Sequence, residues 1–331
     1  MRCAVIGAGA WGTALADLLA RNGHEVALWA RETEVVESVN ARHENTMFLS
    51  GARLHDGVVA HADLASTCAG AEIVVFATPS HVLRAIARDA APAVAIDATI
   101  VVATKGVERE TLAVMSDILA QQFPTHAIVA LSGPSFAAEV VARQPTAVVA
   151  ASSSASAAAL VQRALSSGEF RVYTHDDVMG VELGGALKNV IAVGTGIAEG
   201  LEMGFNARAA LITRGLAEMT RLGVKMGASP LTFAGLAGMG DLVLTCTGAL
   251  SRNRSLGVEI ARGKSLDEAL ALRHTVAEGV MTTHSARALA AREGIEMPIV
   301  SAVYRILFEH QPPRAAIGEL MRRELRAEGD T

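Results

Sequence analysis

The opening stretch MRCAVIGAGAWG constrains this chain more than any other. An apolar run, Cys3 to Ile6, stops at Gly7, Gly9 and Gly12, and a helical pattern, TALADLLARNG, follows at once. A strand that turns into a helix through G-x-G-x-x-G is how a dinucleotide-binding fold begins. The first glycine permits the tight turn, the second lets a pyrophosphate approach the backbone, and the third lets the helix lie close on the strand. The helix N-terminus then offers unpaired N–H groups to phosphates. Alone the motif is a weak signal, and its setting decides.

That setting is an alternation of strand-like and helical stretches. Strand candidates are CAVIG (3–7), EVALWA (25–30), VVAH (58–61), EIVVFAT (72–78), TIVVAT (99–104), AIVALS (127–132) and, as one more, PTAVVAAS (145–152). The alternation predicts an α/β chain with a Rossmann-like, doubly wound, mainly parallel sheet, whose ligands sit beyond the strand carboxyl ends. After about residue 175 the pattern changes to long helical periods, so an all-α C-terminal domain is expected. The boundary falls inside the start of a long helix, giving a dinucleotide-binding domain at 1–178 and a helical substrate domain at 179–331. The run SSSASAAA (152–159) reads as the cap and opening of a helix rather than a spacer.

Composition narrows the function. At 331 residues the chain has room for two domains. It is 51% hydrophobic but 4% aromatic, which suits buried strands and close helices better than a surface for stacking bases. The net charge of −5, with both signs interspersed, offers no basic stripe for nucleic acid, so any anion site must be local. Cys3, Cys68 and Cys246 are far apart and lack CxxC spacing, so they read as reduced thiols. A first strand at residue 2 leaves no room for a leader, and no apolar run reaches the roughly 18 residues of a membrane span. A cytoplasmic location and no membrane insertion are expected. Neither His nor Cys spacing supports a metal.

Several residues could carry chemistry. The second strand runs into Trp29-Ala30-Arg31, where an Arg accommodates the 2′-phosphate of NADP and an acid would hold the ribose of NAD. Arg31 favours NADP(H), while Glu32 and Glu34 keep NAD(H) open. Lys105 follows a buried strand in VATKGVE, and Ser135 stands near a helix start in LSGPSFAAEV. Lys188 is the one basic residue of ELGGALKNVIAVGTGI, with Gly184, Gly185 and Ala192 on its face. Small neighbours leave space for something bulky and screen the ammonium from water, which is costly unless the charge is paired or meets an anion. Such a lysine can serve as a proton donor. Further on come Asp241 and the run Ser251-Arg252-Asn253, which can open a helix and form a phosphate-sized anion site. An ordinary cap with a solvated Arg is the plainer reading of that run.

Taken in order, GAGAWGTALA, HENTMFLSG, ATKGVE, LSGPSFAAEV, FRVYTHDDVMGVELGGALKNV, NARAALITRGLAEM, GDLVLTCTGALSRNR and VAEGVMTT resemble the bacterial NAD(P)-dependent glycerol-3-phosphate dehydrogenases. The resemblance implies reduction of dihydroxyacetone phosphate to sn-glycerol 3-phosphate for phospholipid synthesis, and a homodimer. It also implies that Lys188 acts at the carbonyl with Lys105 and Asp241 beside it, and that Gly133, Ser135, Ser251, Arg252 and Asn253 contact the substrate. Gly7, Gly9, Ala10, Trp11, Gly12, Arg31, Phe48, Lys105, Ala137, Arg252, Val276 and Glu278 would line the cofactor site. Ala10 stands where Ser is common, Phe48 where Tyr is usual and Ala277 where Val is usual. Two rival readings are a hydroxyacid or ketopantoate-type dehydrogenase and a nucleotide-sensing protein without turnover.

Overall fold

The computed structural model describes residues 1–271, 278–325, 327 and 328, and the chain divides into two compact units. The first comprises Met1–Lys105 and Val114–Val178; the second comprises Gly106–Ala113 and the described residues from Met179 onward.

The first unit begins β1 (Arg2–Ile6), α1 (Ala10–Arg21), β2 (Glu25–Trp29), α2 (Thr33–Arg42). A small hairpin, β3 (Glu44–Asn45) with β4 (Leu49–Arg53), then leads to β5 (Val58–His61). The chain continues α3 (Leu64–Cys68), β6 (Ile73–Phe76), α4 (Leu83–Ala90), β7 (Thr99–Val102), α5 (Met115–Gln122), β8 (Ile128–Ser132). It closes with α6 (Ala137–Val141), β9 (Thr146–Ala151), α7 (Ala155–Leu165) and β10 (Phe170–His175). Eight strands form one sheet in the order β10-β9-β8-β7-β6-β1-β2-β5, parallel throughout except between β8 and β9. The cores IVVF and TIVV are buried at every position, as strands covered on both faces require. The expected mainly parallel sheet is therefore present. Ser154 caps α7 by accepting from the Ala157 N–H, so the Ser/Ala run does open a helix.

Two elements depart from the sequence expectation. β10 was not among the strand candidates, and it pairs in parallel with β9 from Phe170↔Thr146 to His175↔Ala151. The β3–β4 hairpin was missed as well. β10 alternates buried Phe170 and Val172 with exposed Arg171 and Tyr173, the half-buried pattern of an edge strand rather than an apolar run.

The second unit is helical. α8 (Val178–Gly200) is followed by α9 (Gly204–Lys225), α10 (Pro230–Ala234), a π-helical turn at Leu236–Gly240 and α11 (Asp241–Thr247). Then come α12 (Arg252–Ala261), α13 (Leu266–Ala271), α14 (Glu278–Glu293), α15 (Pro298–Phe308) and α16 (Pro313–Met321). α8 is buried from Gly180 to Ala198, as a helix of Gly, Ala, Val and Leu on all sides must be. α9 instead buries the stripe Gly215, Glu218, Met219, Leu222 and Gly223, the i, i+3, i+4, i+7, i+8 spacing of a helix lying on a core.

Candidate active site

In the first unit the glycine motif forms the β1–α1 turn. Gly7 has φ of +113°, and a Cβ there would come 2.9 Å from the Ala77 carbonyl oxygen. At Gly12 a Cβ would lie 1.8 Å from the Gly7 carbonyl oxygen, so only glycine lets α1 start this close to β1. By contrast, no atom of the described residues lies within 4 Å of a Cβ at Gly9, which leaves the turn open where a pyrophosphate would approach. Asn45 locks this turn from the hairpin. Fully buried, it donates to the Ala8 carbonyl and to Thr13 Oγ1, both at 2.8 Å, and accepts from the Phe48 N–H at 3.0 Å. Ala10, Trp11, Phe48 and Ala137 are all partly buried against the core of this unit. Just beyond β6, the buried Thr78 Oγ1 has no hydrogen-bond partner among the described residues, the state of a hydroxyl that a bound polar group completes. Open glycine turn, apolar wall and orphaned hydroxyl together fit a dinucleotide.

Arg31 is exposed and forks onto its neighbour Glu32, with Nε at 3.0 Å and Nη2 at 2.7 Å from Oε1. Beyond β7 and β8, Lys105 Nζ donates to the Gly133 carbonyl at 3.2 Å and Ser135 Oγ donates to the same oxygen at 3.0 Å. Three of the predicted substrate residues thus converge on one carbonyl. Ser135 does not cap α6, whose N-cap is Phe136.

In the second unit, Lys188 is 7% and Asp241 1% exposed. The Lys188 ammonium donates to Asp241 Oδ1 and, at 2.8 Å, to Thr245 Oγ1. Thr245 in turn donates to the Asp241 backbone carbonyl at 2.7 Å, one turn back along α11. The small residues beside Lys188 have a use other than the space inferred from sequence. A Cβ at Gly184 would lie 2.6 Å from the Ala237 carbonyl oxygen, so the face is filled by the backbone of the π-helical turn. That close approach brings the start of α11, and with it Asp241, to the lysine. Cys246 packs nearby, its thiol pushed up to about 12 by burial against a hydrogen bond from Thr195. It therefore stays neutral beside the ion pair.

Next to Lys188, Asn189 Oδ1 accepts from Asn253 Nδ2 at 2.9 Å, and Asn253 Oδ1 accepts from the Gly279 N–H at 3.0 Å. This chain of bonds joins α8, the start of α12 and the start of α14, where Glu278 is the first residue. Ser251 caps α12 by accepting from the Arg254 N–H at 3.2 Å, and Arg252 is exposed at the first turn. The helix opening expected for S-R-N is present. Val276 and Ala277 lie outside the described residues. Sequence reasoning missed Thr245, Asn189 and Asn45. All three lay within stretches quoted for the resemblance, but nothing local showed what they bond. A buried ammonium compensated by one carboxylate is a proton donor and an electrostatic stabiliser for an oxygen that gains negative charge.

Family models described as the N-terminus and the C-terminus of NAD-dependent glycerol-3-phosphate dehydrogenase match residues 2–158 and 177–318. A protein of Geobacter sp. (strain M21) named glycerol-3-phosphate dehydrogenase, NAD(P)+, is 54% identical over 331 residues, covering 99% of both chains. The crystal structure of glycerol-3-phosphate dehydrogenase from Coxiella burnetii matches with a TM-score of 0.94 at 39% identity, over 97% of this chain and 99% of that one. The Saccharomyces cerevisiae glycerol-3-phosphate dehydrogenase matches with a TM-score of 0.83 at 28% identity, over 98% and 99%.

Proposed function

The chain belongs to the NAD-dependent glycerol-3-phosphate dehydrogenase family, and on that premise we propose that the buried Lys188–Asp241 pair is the chemical centre of its activity. The protein is an NAD(P)-dependent oxidoreductase that interconverts dihydroxyacetone phosphate and sn-glycerol 3-phosphate, the backbone from which glycerophospholipids are made. Both rival readings from sequence, the ketopantoate-type dehydrogenase and the sensor without turnover, give way to this membership.

Residues 1–178 hold the dinucleotide and 179–331 act on the substrate. Gly7, Gly9, Ala10, Trp11, Gly12, Phe48 and Ala137 hold the cofactor, together with Lys105, Arg252, Val276 and Glu278, and Arg31 meets a 2′-phosphate when the cofactor is NADP(H). When bound, the reduced nicotinamide supplies the hydride. The chain's own part is to bind, orient and protonate. Lys188, kept charged by Asp241 in a desolvated site, faces the oxygen of the substrate carbonyl and gives it a proton as negative charge grows there. Thr245 fixes the ammonium's direction. Arg252, with the N–H groups at the start of α12 and with Ser251 and Asn253, binds the substrate phosphate. Lys105, Gly133 and Ser135 contact the substrate as well.

The observation that carries this reading is one lysine on a helix buried from Gly180 to Ala198, its ammonium bonded to a carboxylate and a hydroxyl of α11. A nicotinamide absorbance assay with a panel of phosphorylated and unphosphorylated ketones tests it: dihydroxyacetone phosphate should be preferred strongly, and equal specificity constants for it and dihydroxyacetone would remove the phosphate site. A cytoplasmic homodimer completes the proposal, supported by the family resemblance and by three buried, unbridged cysteines. Sedimentation of the purified protein would test the dimer. Among the described residues, no helix is long and apolar enough to cross a membrane.

A further inference from the structure

The start of α12 is held by more than its own cap. Arg254, two residues after Arg252, sends Nη1 to both carboxylate oxygens of Glu199 at 2.5 Å and Nε to the Gly248 carbonyl at 3.1 Å. Glu199 sits in the last turn of α8, about three turns from Lys188 on the same rigid helix. Gly248 is the C-cap of α11, the helix that carries Asp241 and Thr245. One guanidinium therefore ties together the ends of the three helices that bear Lys188, Asp241 and Arg252. The tie is short because α8 and α12 touch backbone to backbone: a Cβ at Gly196 would lie 2.0 Å from the Arg254 carbonyl oxygen. Glu199 has a second cation in Arg208 at 3.3 Å, and its carboxyl is held below the usual range, first by the hydrogen bond from Arg254. The planar fork serves the carboxylate through Nη1 and the carbonyl through Nε in one fixed geometry, which the single nitrogen of an ammonium does not reproduce.

We propose that the Glu199–Arg254 pair is a positioning device for substrate, fixing the phosphate-binding start of α12 against the helices that hold Lys188 and Asp241. The proposal rests on the reading that Arg252 and the α12 N-terminus receive the phosphate. Glu199 and Arg254 need not touch substrate themselves. Their loss lets the anion site drift, and a small misplacement of that site is enough to weaken binding of the phosphorylated substrate.

The test uses the full-length enzyme, Glu199→Gln, Glu199→Asp, Arg252→Ala and the combination of Glu199→Gln with Arg252→Ala. Glu199→Gln should raise KM for dihydroxyacetone phosphate by about 10-fold with kcat within about 3-fold of wild type, as misplacement of a binding element without loss of the chemistry requires. The specificity constant for unphosphorylated dihydroxyacetone should not move. Glu199→Asp should recover part of the loss. In the combined variant, Glu199→Gln should add nothing to Arg252→Ala, because both act through one site. Equal losses with both ketones, or a full additive loss on top of Arg252→Ala, would reduce the pair to a general stabiliser and overturn the proposal. Should Glu199→Gln fail to fold, Arg254→Lys is read by the same criteria. The two layers fail differently. If Arg252→Ala keeps the preference for the phosphorylated ketone, the phosphate site itself is wrong and the proposal falls with it. If Arg252→Ala loses that preference while Glu199→Gln keeps wild-type kinetics, the positioning role alone is wrong.

Discussion

Two ion pairs show how differently the same chemistry behaves in the two units. In the second, Lys188 and Asp241 meet with side chains 9% and 1% exposed. In the first, Arg31 and Glu32 meet at 2.7 Å with side chains 79% and 25% exposed. An exposed pair is screened by water and is worth about 0–1 kcal/mol, so Arg31 can leave Glu32 for another anion at little loss. A buried pair cannot be parted so lightly, since removing one partner strands the other charge and costs about 3–5 kcal/mol. Burial thus separates a cation suited to exchanging partners from one fixed in place for a single task. The first suits recognition of a cofactor, the second a reacting carbonyl.

The contrast breaks most visibly at Lys188. Lys188→Met should leave a folded protein that binds NADPH while turnover falls by about 100-fold or more, the scale of losing a positioned acid. Lys188→Arg should not restore it, because a guanidinium is shaped differently and does not give up its proton. Turnover within a few-fold of wild type would move the proton donor elsewhere. Arg252→Ala comes next. It should raise KM for dihydroxyacetone phosphate through loss of a charge-assisted contact of about 1.5–3 kcal/mol, and leave the poor use of unphosphorylated dihydroxyacetone as it was. Steady-state kinetics with both ketones decide this.

Arg31 sharpens the exposed side of the comparison. Arg31→Asp should shift the ratio of specificity constants from NADPH toward NADH by about 1 to 3 kcal/mol, as a charge-assisted contact to a 2′-phosphate becomes a repulsion. An unmoved ratio would leave Arg31 a surface residue and hand selection to Glu32 or to the loop near Phe48.

The smallest effect on turnover is expected at another buried ionisable residue, Glu218. It is 3% exposed and accepts from the Ile299 N–H at 2.7 Å and the Val300 N–H at 3.3 Å at the start of α15. Burial raises its carboxyl from 4.5 to about 7, against the pull of those N–H groups and of Arg221 and Arg323. Arg214 and Glu296 act on Arg221 from the same neighbourhood. A folded-state value above the unfolded one means the neutral carboxyl favours the fold. Its contribution is complete below about 4.5 and is lost as the pH rises through about 7. Thermal unfolding across that window should show a falling contribution in the wild type, and Glu218→Gln, neutral at every pH, should flatten it with kcat little changed. An identical pH slope in both proteins would remove Glu218 from the account.

Much of the fold was legible because its signals are local. The β-branched cores of β6, β7 and β8 and the glycines after β1 announce a parallel sheet from composition alone. β10 escaped because an edge strand needs only alternate apolar residues, and the β3–β4 hairpin because β3 is two residues long. Lys188 was legible as a single charge in a helix of small residues. What surrounds it was not. Asp241 and Thr245 are 53 and 57 positions away, and Asn253 reaches Asn189 across 64. Even the small residues that marked the lysine were partly misread, since Gly184 serves the approach of backbone rather than of a ligand. Periodicity reports which face is buried, but only the packed chain reports what lies against it.

The claim on which the rest depends is that Lys188 and Asp241 act as one buried unit. The direct measurement is a kinetic double-mutant cycle with Lys188→Met, Asp241→Asn and both together, reading kcat/KM for dihydroxyacetone phosphate with NADPH binding as the control for folding. If the pair is one unit, the double variant is no worse than Lys188→Met alone, because removing either member already removes the function of both. Losses that simply multiply, with NADPH binding intact in all three proteins, would show two independent residues and contradict the account.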